Sequence, residues 1–172
     1  MSSAPSSETA AAPGSKPLVV PLTGIDLTSR VLDRARIAQC NPHRDHLALL
    51  DFIVWHSPDF KLGVALKHVR EDEFWVTGHF PGKPMLPGVL MVEAGAQLSS
   101  WLFNARFPKP RIAAFTHIQD CSFRASVVPG DDLYLLAREV RFSPRRFVSD
   151  IQGVVNGKLA FEAQISGISI EG

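Results

Sequence analysis

Residues 78–107 read GHFPGKPMLPGVLMVEAGAQLSSWLFNARF, and the two halves of this stretch decide the fold between them. The first eleven residues hold three prolines and three glycines. No regular element survives that density, so residues 78–88 form a long, stiff loop. From Gly88 the composition changes to that of a helix of about four to five turns. Pro87 and Gly88 suit its first turn, and Pro108 stops it. Val89, Leu90, Met91, Val92, Leu98, Trp101, Leu102 and Phe103 fall on every side, and Ala94, Gly95 and Ala96 keep the middle thin. A helix that is apolar all round is buried all round. No stretch approaches the roughly 18 to 20 apolar residues that span a bilayer, so the rest of the chain must wrap this helix.

The segments on either side supply the wrapping. Residues 47–55 and 61–69 are strand-like and separated by a turn at Ser57-Pro58-Asp59. Residues 111–125, 132–142, 147–155 and 158–170 also read as strands. The Asn156-Gly157 pair between two apolar runs signals a type I′ hairpin, and connections this short imply antiparallel neighbours. One buried helix and a run of antiparallel strands make an α+β fold, a curved sheet around a central helix. Upstream, a helix is expected over residues 25–39, capped by Asp26 or Thr28 and ended by Asn41-Pro42. Residues 1–24 form a leader rich in Ser, Ala and Pro, disordered over about its first 17 residues. Residues 25–172 are then a single domain.

Composition limits the function. Eighteen basic and 17 acidic side chains give a net charge of +1, without the basic excess of a nucleic-acid binder. Cys40 and Cys121 make neither a disulfide framework nor a zinc site, and no secretory signal is present. The expected location is cytoplasmic.

Glu93 and Gln97 are the polar anomaly. Four residues apart, they share one face of a helix expected to be buried. Glu93 is either a structural carboxylate satisfied by a neighbouring donor, or an acid whose pKa burial raises until it can hold a proton near neutrality. His79 is either an ordinary loop histidine or a base, fixed by Gly78 and by Phe80-Pro81-Gly82. The helix beginning at Gly88 offers free amides at the positive end of its dipole, a ready oxyanion site. A base, an oxyanion donor and a buried acid suit proton abstraction beside a carbonyl with loss of a β-hydroxyl. His43 and His46 flank Arg44-Asp45 and read as surface or structural residues. His117 and Cys121 alone do not make a metal site.

The stretch GHFPGKPMLPGVLMVEAGAQ resembles the signature of the β-hydroxyacyl-acyl carrier protein dehydratases of fatty-acid synthesis. Pro42-His43-Arg44 with Leu49-Leu50-Asp51, Phe123-Arg124 with Val128-Pro129-Gly130-Asp131, and Gly157-Lys158 with Glu162-Ala163 resemble further family elements in the right order. The resemblance runs from about residue 25 to the end. It implies a hot-dog fold, with an antiparallel sheet wrapped around a long helix. It also implies a homodimer or a trimer of dimers (a homohexamer), with each active site at the dimer interface. It matches His79 and Glu93 to the catalytic pair, one from each subunit. Gly88 matches the backbone amide that polarises the thioester carbonyl, and Gln97 a residue that hydrogen-bonds near the acid.

The implied reaction is dehydration of a (3R)-3-hydroxyacyl thioester to the trans-2-enoyl thioester, with no cofactor and no metal. The acyl group would ride on the phosphopantetheine arm of acyl carrier protein, an acidic partner that Arg124, Arg145, Arg146 and Lys158 are placed to steer. The acyl chain is expected to pass Phe80, Trp101 and Phe115. The sequence departs from the family at Asp45-His46, at Asp51-Phe52, across residues 73–77, and at Ala114 where some members place a gating tyrosine. Chain length and natural carrier therefore stay open. The competing readings are another hot-dog enzyme (a thioesterase or an enoyl hydratase) and a non-catalytic acyl-thioester binding protein.

Overall fold

Asn156 and Gly157 both have positive φ, +49° and +72°, as a two-residue type I′ turn requires. They join β6 (Arg146–Val155) to β7 (Lys158–Ile170). In the computed structural model, which describes residues 17–170, these strands belong to one antiparallel sheet. The others are β1 (Leu32–Asp33), β2 (Phe52–His56), β3 (Leu62–His68), β4 (Ile112–Phe123) and β5 (Asp132–Ser143). The order across the sheet is β1-β2-β3-β5-β6-β7-β4. The long helix α2 (Gly88–Asn104) lies against the inner face. The expected hot-dog architecture and α+β class are therefore found.

Alternation along the strands makes two apolar layers. Ala65, Leu133, Leu135, Ile151 and Phe161 face inward onto Met91, Ala94 and Leu98 of α2. The helix comes so close that a Cβ on Gly95 would sit 2.8 Å from Ile151 Cδ1. Val54, Val64, Leu66, Leu136 and Val154 face outward and form a second cluster.

That outer cluster corrects two expectations. Leu18, Val19, Val20 and Leu22, assigned to the leader, pack over it together with Ile25 and Leu27. Val19 N–H donates to Gln152 Oε1 at 2.8 Å, and Gln152 Nε2 donates to the Pro17 carbonyl at 3.3 Å. Residues 17–24 are thus a strap on the sheet, and the disorder expected for residues 1–16 falls outside the described residues. The helix expected over residues 25–39 shrinks to α1 (Arg34–Ile37), capped by Asp33 rather than Asp26 or Thr28. Asp26 Oδ1 instead accepts from Thr28 N–H and Oγ1 at 2.9 and 2.7 Å, an Asx turn that competes with helix. Packing of the partly buried Ile25 and Leu27 on the sheet holds this turn in place.

Two smaller differences bear on the site. The strand expected from residue 47 begins at Phe52, because Asp45–Leu47 is a single 3-10 turn. The helix is not buried all round: Val89 is 72% exposed, and Glu93 and Ala96 on the same stripe are partly open. Among the described residues β4 is an edge strand paired only with β7, and it exposes Ile112, Phe115, Ile118 and Phe123. Among the described residues no helix is long and apolar enough to cross a membrane.

Candidate active site

His79 is held from three sides. Its N–H donates to the Trp75 carbonyl at 2.8 Å, and its own carbonyl accepts from Met85 N–H at 2.8 Å. Its ring Nδ1 lies 2.8 Å from the Met85 carbonyl. A carbonyl oxygen only accepts, so Nδ1 carries the proton, and in the neutral ring Nε2 is left with a free lone pair. The Phe80 ring stacks on the imidazole at 4.2 Å. Phe80 and Lys83 exchange backbone hydrogen bonds, closing the turn that contains Pro81 and Gly82. The His79–Phe80 peptide is cis.

The imidazole borders an open cleft of about 550 Å³ lined by Gly88, Val89, Met91, Phe123 and Arg124 among others. Gly88 begins α2, and the Pro87 carbonyl takes the N–H groups of Leu90 and Met91. The amides of Gly88 and Val89 have no acceptor within the helix and stand at its positive end. A Cβ at Gly88 would lie 2.7 Å from the Phe123 ring, so a larger residue would disturb the cleft wall. An imidazole nitrogen with a free lone pair and a positive helix terminus therefore share one cleft.

Glu93 belongs to a different cluster and does not line this cleft. Its Oε1 accepts from Gln97 Nε2 at 2.9 Å and lies 3.3 Å from His43 Nε2. Gln97 Nε2 also donates to the Leu47 carbonyl at 2.7 Å, and its Oε1 accepts from Leu49 N–H at 3.0 Å. Asn41 Nδ2 donates to the Gln97 carbonyl at 2.8 Å. Burial pushes the Glu93 carboxyl upward, but the His43 and Gln97 donors outweigh it and hold the group below its ordinary value. Of the two readings open for Glu93, the single chain shows the carboxylate satisfied by neighbouring donors, and not the upward shift that burial alone would give. The sequence marks His43 as a surface or structural histidine within the Pro42-His43-Arg44 element; its approach to Glu93 depends on a fold-back that no local pattern encodes.

The remaining candidates are dispersed. Arg124 lines the cleft, and its guanidinium pairs with Glu162, Nε to Oε1 being 3.1 Å. Arg145 and Arg146 lie at the β5–β6 turn, where Arg111 donates to the Pro144 carbonyl at 3.0 Å. That turn is at the Ile112 end of β4, opposite the Phe123 end that borders the cleft. Lys158 opens β7 and is exposed. Trp101 is buried against His56 and Phe60 near the C-terminal end of α2, and Phe115 is half-exposed on β4. Neither lines the His79 cleft, so one chain does not form the expected acyl path past both. Among the described residues no group of three or more His, Cys, Asp or Glu is placed to hold a metal ion.

Residues 41–164 match the FabA-like domain family. The chain is 33% identical over 142 residues to the 3-hydroxyacyl-[acyl-carrier-protein] dehydratase FabZ of Protochlamydia amoebophila, covering 83% of this chain and 92% of that one. It is 36% identical over 136 residues to the protein of the same name from Listeria monocytogenes, covering 78% and 94%. In fold it is similar to a chain of the dehydratase heterocomplex ApeI:P from Xenorhabdus doucetiae. The TM-score is 0.68 at 14% identity, over 83% of this chain and 93% of that one.

Proposed function

The chain belongs to the FabA-like family of β-hydroxyacyl-acyl carrier protein dehydratases, and from that membership we propose that it is a hydro-lyase converting (3R)-3-hydroxyacyl carrier-protein thioesters to trans-2-enoyl thioesters in fatty-acid synthesis. The observation that carries the reading is the tautomer of His79. With Nδ1–H bound to the Met85 carbonyl, Nε2 is a base beside the free amides of α2. Nε2 removes the C2 proton of the acyl chain. The charge that develops on the thioester carbonyl oxygen is met by Gly88 N–H at the positive helix end. The electron pair then forms the C2–C3 double bond, and the C3 hydroxyl leaves as water after taking a proton. The steps balance without a cofactor.

Glu93 donates that proton, and it does so from a second copy of the chain. Support for the pairing comes from the open Val89–Glu93–Ala96 stripe and the unpartnered apolar edge of β4. An exposed apolar edge strand this long is a pairing surface. Covering the stripe removes water from Glu93 and shifts its carboxyl upward, against the pull of His43 and Gln97. Antiparallel pairing of two β4 edges also brings the Ile112 end of one copy beside the Phe123 end of the other. Arg145 and Arg146 of the second copy then join Arg124 at the mouth of the His79 cleft, where an acidic carrier protein docks.

The test is turnover of 3-hydroxyacyl carrier-protein thioesters of several chain lengths, followed by mass spectrometry, beside His79→Ala and Glu93→Gln. An enoyl product that disappears in both variants supports the assignment. A free acid in its place means a thioesterase, and binding without turnover at any chain length means a non-catalytic thioester binder.

A further inference from the structure

Residues 69–87 carry His79 from β3 to α2 without forming any helix or strand. Backbone bonds tie the two ends. Val69 N–H donates to the Asp131 carbonyl at 3.0 Å, and Leu86 N–H to the Val127 carbonyl at 2.8 Å. What fixes the middle is a charge placed inside the protein. Lys67, near the end of β3, is opposite Leu133 and shares its inward face. Its side chain is 1% exposed, yet it is a lysine.

Lys67 Nζ donates to both carboxylate oxygens of Glu73, at 2.8 and 2.9 Å, and the Glu73 side chain is 8% exposed. Glu73 also accepts from Arg70 N–H at 3.0 Å and from the Trp75 indole N–H at 2.9 Å. Trp75 is buried in the core, and its carbonyl accepts from the N–H groups of Gly78 and His79, at 3.1 and 2.8 Å. Beside this hub, Asp51 Oδ1 takes Arg70 at 3.0 Å and Arg34 at 2.6 Å. A continuous set of polar contacts thus runs from β3 through Glu73 and Trp75 to the histidine.

Stability does not explain a buried ion pair here. Desolvating both charges costs several kcal/mol per ion, and an apolar pair of similar volume is often as stable or more so. What an ion pair supplies that an apolar pair does not is a single register, because any slip leaves a buried charge unpaired. In a segment of nineteen residues without secondary structure the backbone bonds around His79 are local turns, and the Lys67–Glu73 pair is a side-chain tie from its middle back to β3.

The geometry points to Lys67 and Glu73 as positioning residues for His79, holding its backbone through Trp75 so that Nε2 meets the substrate in one orientation. This rests on the reading of His79 as the base.

Two doubly neutralised variants test it without stranding a charge. Lys67→Met/Glu73→Leu removes the pair and the acceptor for the Trp75 indole. Lys67→Met/Glu73→Gln removes the charges but keeps an amide oxygen there. The readouts are kcat, KM and the imidazole nitrogen resonances of His79, assigned against His79→Ala. The Leu variant is expected to lose about 10- to 100-fold in kcat, the scale of a misplaced catalytic group. Its KM should stay within about two-fold, since the binding contacts are untouched. The His79 resonances should move, and the Gln variant should recover much of both effects.

Trp75→Phe keeps an aromatic ring but deletes the indole N–H together with the five-membered ring that carries it, and it is expected to lose about 3- to 10-fold in kcat with shifted His79 resonances. It decides alone if the Leu variant does not fold. Wild-type kcat and unmoved His79 resonances in the folded variants overturn the assignment. If the wild-type protein removes no water from any thioester, the functional reading falls separately. The resonances then still decide whether the pair positions His79.

Discussion

Replacing Gln97 with Met keeps nearly the same length and volume and deletes one set of hydrogen bonds. Gln97 is 2% exposed and bonds at once to Leu49 N–H, the Leu47 carbonyl and Glu93. The buried Leu49 N–H loses its acceptor, at about 1–3 kcal/mol. The Leu47 carbonyl is nearer to water, so its loss is about 1 kcal/mol at most. The Glu93 carboxylate is 30% exposed and keeps His43, so losing one donor costs about 1 kcal/mol after allowing for solvent. The expected destabilisation at neutral pH is therefore about 2–5 kcal/mol. Urea denaturation at one fixed protein concentration measures it from the midpoint and slope. Part of the loss must depend on pH. Glu93 sits below its ordinary value of 4.5 in the folded chain. Its hydrogen bonds therefore stabilise the fold fully above that value, and the stabilisation is lost as the pH falls through the folded pKa. The difference between Gln97→Met and wild type should accordingly shrink below about pH 4.5 and keep its Leu49 part. A loss under about 1 kcal/mol at neutral pH would mean that water replaces the Gln97 amide and that the site is not dry. A loss that stayed constant into acid would remove Glu93 from the account.

Three other perturbations follow from the packing. Lys67→Met alone leaves Glu73 charged and buried; it should destabilise by about 3–5 kcal/mol in urea denaturation, and Lys67→Met/Glu73→Gln by much less. Gly95→Ala puts a Cβ 2.8 Å from Ile151 Cδ1. Overpacking of about 1–3 kcal/mol should exceed the roughly 1 kcal/mol gained in helix propensity, lowering the midpoint of thermal unfolding. Val20→Asp puts a charge where a 1% exposed valine meets Val54, Val64 and Leu66. It should release the strap, seen as new proteolytic cleavage near residue 20, and cost at least about 2 kcal/mol.

Elements whose stability is local were legible from the residues. The proline and glycine density of residues 78–88 excluded any regular element, and the structure has none before Gly88 opens α2. The apolar run after Gly88 fixed the start of α2, which ends at Asn104, three residues short of the expected stop at Pro108, and Asn156-Gly157 formed the expected two-residue hairpin. Residues 17–39 were misread because their outcome is not local. Asp26 can cap a helix or close an Asx turn, and contact of Ile25 and Leu27 with the far side of the sheet chooses the turn. Lys67 reads as an ordinary strand lysine until the sheet turns it inward onto Glu73. The polarity of Glu93 on an apolar helix was visible at once, but the direction of its pKa was not. Burial acts on it from one side and His43 from the other, and His43 arrives from fifty residues away.

The long helix, the antiparallel strands and the loop that presents His79 follow from the order of residues alone, because backbone restriction and apolar periodicity act over a few residues. Long-range packing is what puts His79 and Gly88 in one cleft, sets Glu93 in another cluster under the donors of His43 and Gln97, and straps residues 17–27 across the sheet. Those outcomes depend on which distant groups meet, and burial is settled only when the whole sheet has closed around the helix.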